Sequence, residues 1–349
     1  MPRSRLAVFL AVAALLAPAS ARAQQATPDN DWTETILEED DFWAPHNHDR
    51  HYTHGIQFSG TSGDVHDPFW LQPFNWLSGL SPAFPAAADA SRRYHLIPLG
   101  QNMYTPDNPT LVTPDPRDRP YAGWLYGGAG LMQDTPGDSD GIDRFDDVEA
   151  KLGLVGPGSL ANATQTRYHL LIDVSPFAGW HAQLHDEPTL DLFYQHKWRF
   201  HGETEQAWGW DAIPQWDLRV GNVYDYAGAG GMLRLGRNLR ADYGPPHIGM
   251  NTGADYINPS RMVGNWGFYS FIGSEARAVA HDIFLDGNDF KASPSVDKYP
   301  AVGDLEAGLA VFYDHFRLAY SYIWRSPQFV HQAGPDHYGS LDLTVDIKF

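Results

Sequence analysis

The 349-residue chain contains no cysteine. That absence excludes a disulfide framework, a thiol nucleophile and thiolate-held metal together. Basic residues are scarce: 24 Lys and Arg stand against 43 Asp and Glu, a formal charge of −19. No Lys/Arg cluster could neutralise a row of phosphates, so nucleic acid is excluded as a partner. No apolar run is long enough to cross a bilayer as a helix, which takes roughly 20 residues. A mean hydropathy of −0.40 likewise excludes a helical membrane bundle. It leaves a membrane β-barrel open, because such strands alternate lipid-facing with lumen-facing side chains. There is no G-x-S-x-G elbow, no H-E-x-x-H zinc helix and no P-loop. Aromatic residues are what the chain has in plenty, at 13%.

The first residues carry Arg3 and Arg5, a short apolar run over 6–17, and Ala21-Arg22-Ala23. A positive start, a short apolar stretch and an A-x-A site form a secretory signal. We therefore expect residues 1–23 to be removed on export and 24–349 to form one domain. Cleavage takes away three arginines and no acid, leaving the remainder still more acidic.

Residues 341–349 alternate strictly, with Leu341, Leu343, Val345, Ile347 and Phe349 on one face and Asp342, Thr344, Asp346 and Lys348 on the other. Similar segments recur at 33–42, 52–60, 94–104, 121–132, 148–155, 190–200, 216–222, 228–235, 267–272, 276–285, 305–313 and 318–324. Many end in Tyr, Trp or Phe, the aromatic girdle of a membrane barrel. Thirteen segments are one too many for a closed bacterial barrel, which takes an even number. We read one as a loop piece or a split strand and expect an all-β, antiparallel transmembrane β-barrel of about twelve strands. Its loops are long, and long loops usually hold function. One helix is expected near 159–171, placing Gln165 and His169 one turn apart on one face.

Several polar clusters invite chemistry. Glu38-Glu39-Asp40-Asp41 suits a hard cation such as Ca²⁺, or a solvated loop. His46, His48, His51 and His54 could chelate a transition metal, or lead a polar loop into a strand. His181 and His185 have helical metal-ligand spacing but no glutamate between them. Asp118 and Arg119 read as an internal ion pair fixing a loop.

In chain order, the acidic segment is followed by DRHYTHG (49–55), GQNMYTP (100–106), DRPYAGW (118–124) and LGLVGP (152–157). Gln165-x3-His169, GWHAQLHDEP (179–188) and Gly221-Asn222 come next. Together these resemble the lipid A 3′-O-deacylase family, outer-membrane enzymes that remove a 3′-linked acyl chain. The likeness runs from residue 37 to about 244, and the remainder matches in strand style only. It implies a twelve-stranded barrel in the bacterial outer membrane, with lipid A of lipopolysaccharide in the outer leaflet as its partner. It also implies a site using Ca²⁺ and a histidine base. Carried over by position, His169 is the base that activates water, Gln165 orients water or substrate, and Thr53 lies near the scissile ester. Asp40 falls at the calcium site, with Glu39 and Asp41 beside it. Three departures stand out. Glu39 replaces a frequent Asn. The loop after Pro106 lacks a lysine that some members aim at the oxyanion, leaving Arg117 as the nearest cation. A glutamate expected after the histidine is absent from a stretch holding Asp173 and Ser175.

Two other readings remain. The same site could act on a glycerolipid, in the manner of an outer-membrane phospholipase. Alternatively the chain could be an inactive, porin-like barrel. A porin should line a wide lumen with both charge signs, whereas twelve strands make a narrow tube for Tyr, Trp and His to fill.

Overall fold

The computed structural model describes residues 31–45, 50–80, 84, 87, 89–137, 141–204 and 206–348. The signal-like start, His46 and His48 lie outside the described residues. The alternating segments form twelve antiparallel strands: β1 (Trp32–Asp40), β2 (His51–Ser62), β3 (Ser91–Thr105), β4 (Ala122–Thr135), β5 (Ile142–Val155) and β6 (Glu187–Glu203). The others are β7 (Trp208–Gly221), β8 (Tyr224–Arg237), β9 (Trp266–Asp282), β10 (Ala301–Tyr313), β11 (Phe316–Arg325) and β12 (Asp336–Ile347). Each pairs with its chain neighbours, and β1 closes the ring on β12 from Trp32↔Ile347 to Asp40↔Gly339. The surplus segment is explained: 267–272 and 276–282 both belong to β9. Gly273-Ser274-Glu275 interrupts the apolar face without interrupting the hydrogen bonds. The last residues of that segment leave the sheet as a short helix, Ile283–Asp286, whose first turn is capped by Asp282.

Outward positions carry a lipid-compatible skin, with Leu152, Leu192, Leu233, Leu305 and Leu309 exposed. Inward positions are polar. The lumen holds the Tyr, Trp and His expected of a narrow tube, among them Tyr52, Trp124, Tyr126, Tyr338, His95 and His247, and charges of both signs line it as well, as the porin reading would have it. Arg317 reaches Asp342 and Asp242, each at 2.8 Å, and Arg234 reaches Asp211 and Asp242, each at 2.5 Å. Asp242 belongs to the 238–265 connection between β8 and β9, which enters the lumen from the rim where β1 begins. A buried loop must find partners for its backbone groups. Lys197 donates to the carbonyls of Asn251 and Gly253, and Arg277 and Arg325 donate to that of Gly249. The charges thus seat a plug.

We call the rim where β1 begins and β12 ends the terminal rim, and the opposite one the distal rim. The distal rim carries the 156–186 connection and with it the second expected element. Helix α2 spans Ala161–Leu171, and the other long helix, α1, spans Gln72–Leu80 at the terminal rim. The sequence pattern had suggested a start at 159, but Leu160 sits at a left-handed φ of 62° and separates the helix from a tight turn over Pro157–Ser159.

Candidate active site on the outer wall

Helix α2 lies against the outside of the barrel, over β3 and β4. Its buried face is Ala161, Gln165 and His169, spaced one turn apart. Close approach depends on Gly123 in β4. A Cβ there would fall 2.2 Å from both the Ala161 Cβ and the Ser159 Oγ. The loop reaches this position through Gly156 (φ 104°), where any Cβ would meet the backbone of His185 and Asp186 at 2.5–2.6 Å. Met103, Tyr121 and Trp180 pack with Ala161 to make the floor.

Two polar side chains of the helix are held differently. The Gln165 Oε1 accepts a 2.7 Å hydrogen bond from the Trp180 indole, while its buried Nε2 has no partner among the described residues. After the helix, Asp173 turns left-handed (φ 61°) and returns the chain, so that the Ser175 carbonyl lies 3.2 Å from the His169 Nδ1. A carbonyl only accepts, so Nδ1 donates and Nε2 carries the lone pair. The ring rests edge-on against Phe177, 4.8 Å between centroids. The backbone of Ser175 thus holds the tautomer in the stretch where a glutamate was expected.

Beside the helix, along the same wall, Thr53 shares a 2.6 Å hydrogen bond with Thr105. A bulge between Tyr52 and His54 leaves Tyr52 in the lumen, bonded to Glu39, and turns Thr53 to the outside. His54 pairs in register with Met103 on one side and with Asp40 on the other. Its Nδ1 is 3.1 Å from the Asp40 Oδ2, and Glu38, Asp40 and His54 place ligand atoms within 4.8 Å of one another. This is the only such cluster among the described residues.

The four expected acids therefore separate. In a strand, 38 and 40 share one face and 39 the other. Glu39 points into the lumen, where its carboxylate accepts from Tyr52 at 2.8 Å and from the plug amides of Ile248 and Gly249 at 3.0 and 3.3 Å. It is not beside Asp40's carboxylate. Asp41 begins a tight turn and accepts the Arg50 amide at 3.0 Å. Glu38 and His54 had been read only within two separate clusters; period-two alternation sets Glu38 beside Asp40, and cross-strand register adds His54.

The histidine run also divides. His51 is buried, 2.6 Å from Asp336 and 3.6 Å from Asp118, clamping three distal connections together. Burial works against the Asp118 carboxylate. The His51 ring and the amides of Asp107 and Arg119 nevertheless hold its pKa below the ordinary value. Asp118 and Arg119 do not form the ion pair expected of them, since the Arg119 guanidinium turns inward over the Tyr104 ring. Arg117 is exposed and held by Asp115 at 2.8 Å. His181 sits in a tight turn over Trp180–Ala182 that ends before His185, so the two do not share a helix face.

A closed twelve-stranded barrel with an apolar skin, a plugged lumen and a helix-borne histidine on its lipid-facing wall defines an outer-membrane-type β-barrel with an external site. The family follows from comparison: the chain belongs to the family described as outer membrane protein LpxR, whose model matches residues 8–347. Among solved structures it is similar to LpxR from Salmonella typhimurium, with a TM-score of 0.69 at 17% identity, covering 90% of this chain and 99% of that one. A weaker likeness is to the β domain of the Bordetella autotransporter BrkA, with a TM-score of 0.40 at 10% identity, covering 91% and 99%. No curated protein matches.

Proposed function

We propose that the chain is an outer-membrane ester hydrolase that removes the 3′-linked acyl chain from lipid A in the outer leaflet. The observation that carries this is the His169 ring, fixed by Ser175 with its basic nitrogen at Nε2, on the lipid-facing wall beside the unsatisfied Gln165 amide. In this reading Nε2 takes a proton from water, and the resulting hydroxide adds to the ester carbonyl carbon. The tetrahedral adduct collapses, the C–O bond to the sugar breaks, and the imidazolium returns its proton to the leaving alkoxide. A free fatty acid and a 3′-hydroxyl on lipid A result. The Gln165 Nε2 donates to the substrate oxygen that gains charge, and Thr53 borders the bound ester.

A calcium ion fits the same wall. Asp40 and Glu38 offer the carboxylate oxygens that this ion prefers, and His54 orients Asp40 through its ring nitrogen. Asp40 and Glu38 would hold it, with Asp41 next in the chain and Glu39 turned away. When bound, Ca²⁺ supplies positive charge that favours the developing oxyanion.

Mass spectrometry of lipid A from cells expressing the parent chain or His169→Ala tests the whole reading. The parent should yield 3′-deacylated lipid A and the variant none. Identical acylation in both cell types would refute it, and released glycerolipid fatty acid alone would reassign the substrate.

A further inference from the structure

The 63–90 connection between β2 and β3 leaves the terminal rim, at the opposite end of the barrel from His169. Residues 68–88 contain no Asp, Glu, Lys or Arg in a chain of net charge −19. They do contain Phe69, Trp70, Phe74, Trp76 and Phe84. Its described parts, α1 and Phe84, fold outside the barrel, against wall positions that would otherwise face lipid. Phe74, on the inner face of α1, packs edge-on against Tyr94 of β3, and Phe84 packs near Tyr194 of β6. Arg92 ties it down, its guanidinium donating to the Ala87 carbonyl at 2.8 Å and its backbone amide to the Asp64 carboxylate at 2.7 Å.

Two polar groups are hidden on that outer wall. Asp146 points outward from β5 yet is fully buried, bonded to His196 at 2.6 Å and to the Tyr194 hydroxyl at 2.8 Å. Gln133 of β4 is buried and accepts from Arg92 at 2.9 Å. A charged group facing bare hydrocarbon is expensive, so the connection separates these groups from lipid. Its own outer surface is then strongly apolar: Phe69 is 72% exposed, Trp70 56% and Trp76 65%. It continues the barrel's outer aromatic band, in which Tyr194 and Trp216 touch with centroids 5.1 Å apart.

We propose that α1 and the turn before it form an interfacial anchor, with Phe69, Trp70 and Trp76 embedded in the phospholipid leaflet at the terminal rim. Exposed Trp beside a lipid-facing aromatic band is the placement favoured at a membrane interface. The absence of Lys and Arg sets this anchor apart from basic amphipathic helices. Its affinity comes from apolar burial, and zwitterionic lipid suffices. Continuity with the barrel's lipid-facing wall is what selects lipid over protein as the occupant.

The cysteine-free sequence makes the test direct. Gly79 of α1 is exposed, and a Cβ there meets no heavy atom within 4 Å. Gly79→Cys, labelled with a polarity-sensitive fluorophore, is placed in phosphatidylcholine nanodiscs. Leu309→Cys on the lipid-facing wall and Arg117→Cys on the distal loop serve as references. The Gly79 probe should resemble the Leu309 probe: blue-shifted, quenched by nitroxide lipids and protected from acrylamide. Exchanging part of the lipid for anionic phosphatidylglycerol should change nothing. Adding Trp70→Ser and Trp76→Ser should move the emission toward that of the Arg117 probe. A Gly79 probe already like the Arg117 probe overturns the proposal, as does one shielded from both quenchers, which would mean a protein partner or a second copy. No response to the two Trp substitutions would remove the anchoring role from those residues.

Discussion

Gly123→Ala should separate the barrel's stability from its proposed chemistry. The new methyl carbon would start 2.2 Å from the Ala161 Cβ and the Ser159 Oγ. Ordinary carbon contacts are about 3.5–4.0 Å, so the first turn of α2 must withdraw by roughly 1.5 Å. Overpacking of this kind costs about 1–3 kcal/mol locally. The twelve-strand hydrogen-bonded ring does not depend on α2, so the folded barrel should survive. His169 lies two turns along the same rigid helix, and a misplacement on the order of 1 Å at a reacting group costs about 10²-fold in rate. The assay is release of fatty acid from purified lipid A in detergent, read as kcat and KM, with heat-modifiable gel mobility reporting the fold. Most of the loss should fall on kcat. Combining the change with Ser159→Ala and Ala161→Gly reopens the space and should restore much of the rate. A Gly123→Ala protein that keeps the parent rate would refute the reasoning, because the close approach would then have no bearing on the site.

Other outcomes follow from the same geometry. His169→Gln should lose about 10²–10⁴-fold in kcat, the usual worth of a general base, with gel mobility unchanged. Asp40→Asn and Glu38→Gln should weaken Ca²⁺ binding in calorimetry, and a chelator should abolish activity. Glu39→Gln should leave Ca²⁺ binding intact while lowering resistance to urea, because its carboxylate serves the plug. Asp242→Ala strands Arg234 and Arg317 in the lumen and should destabilise the folded barrel by about 3–5 kcal/mol in urea titration. Asp118 has a folded pKa below its unfolded value. Its clamp on the distal loops is therefore fully present above the ordinary carboxylate range and lost as pH falls through the depressed value. Pepsin cleavage within 106–121 should accelerate over that acid window in the parent and lose its pH step in Asp118→Asn.

The barrel was legible because period-two alternation is written residue by residue, and one interruption, at Gly273-Ser274-Glu275, accounts for the extra segment. The helix with Gln165 and His169 was legible too, from its breaker and its spacing. The metal cluster was only half visible. Four consecutive acids look equivalent until strand alternation sends Glu38 and Asp40 out and Glu39 in. His54 joins them only through cross-strand register, which no local pattern encodes. The plug and α1 were not legible as such. Neither carries a local pattern that says where it docks; that depends on tertiary partners, such as Glu39 for Ile248 inside the lumen and Tyr194 for Phe84 outside the wall.

The pairing of β1 with β12 has a consequence for how the molecule comes into being. The nine rungs from Trp32↔Ile347 to Asp40↔Gly339 join stretches made first and last along the strand series. Until residues 336–347 arrive, β1 and β11 are both raw edges, each a template for some other chain. Every chain passes through that exposed interval, and a chain cut before Tyr338 would never leave it. Such a fragment should accumulate as aggregate or be degraded, because no eleven-strand version of this ring can satisfy its own backbone in lipid.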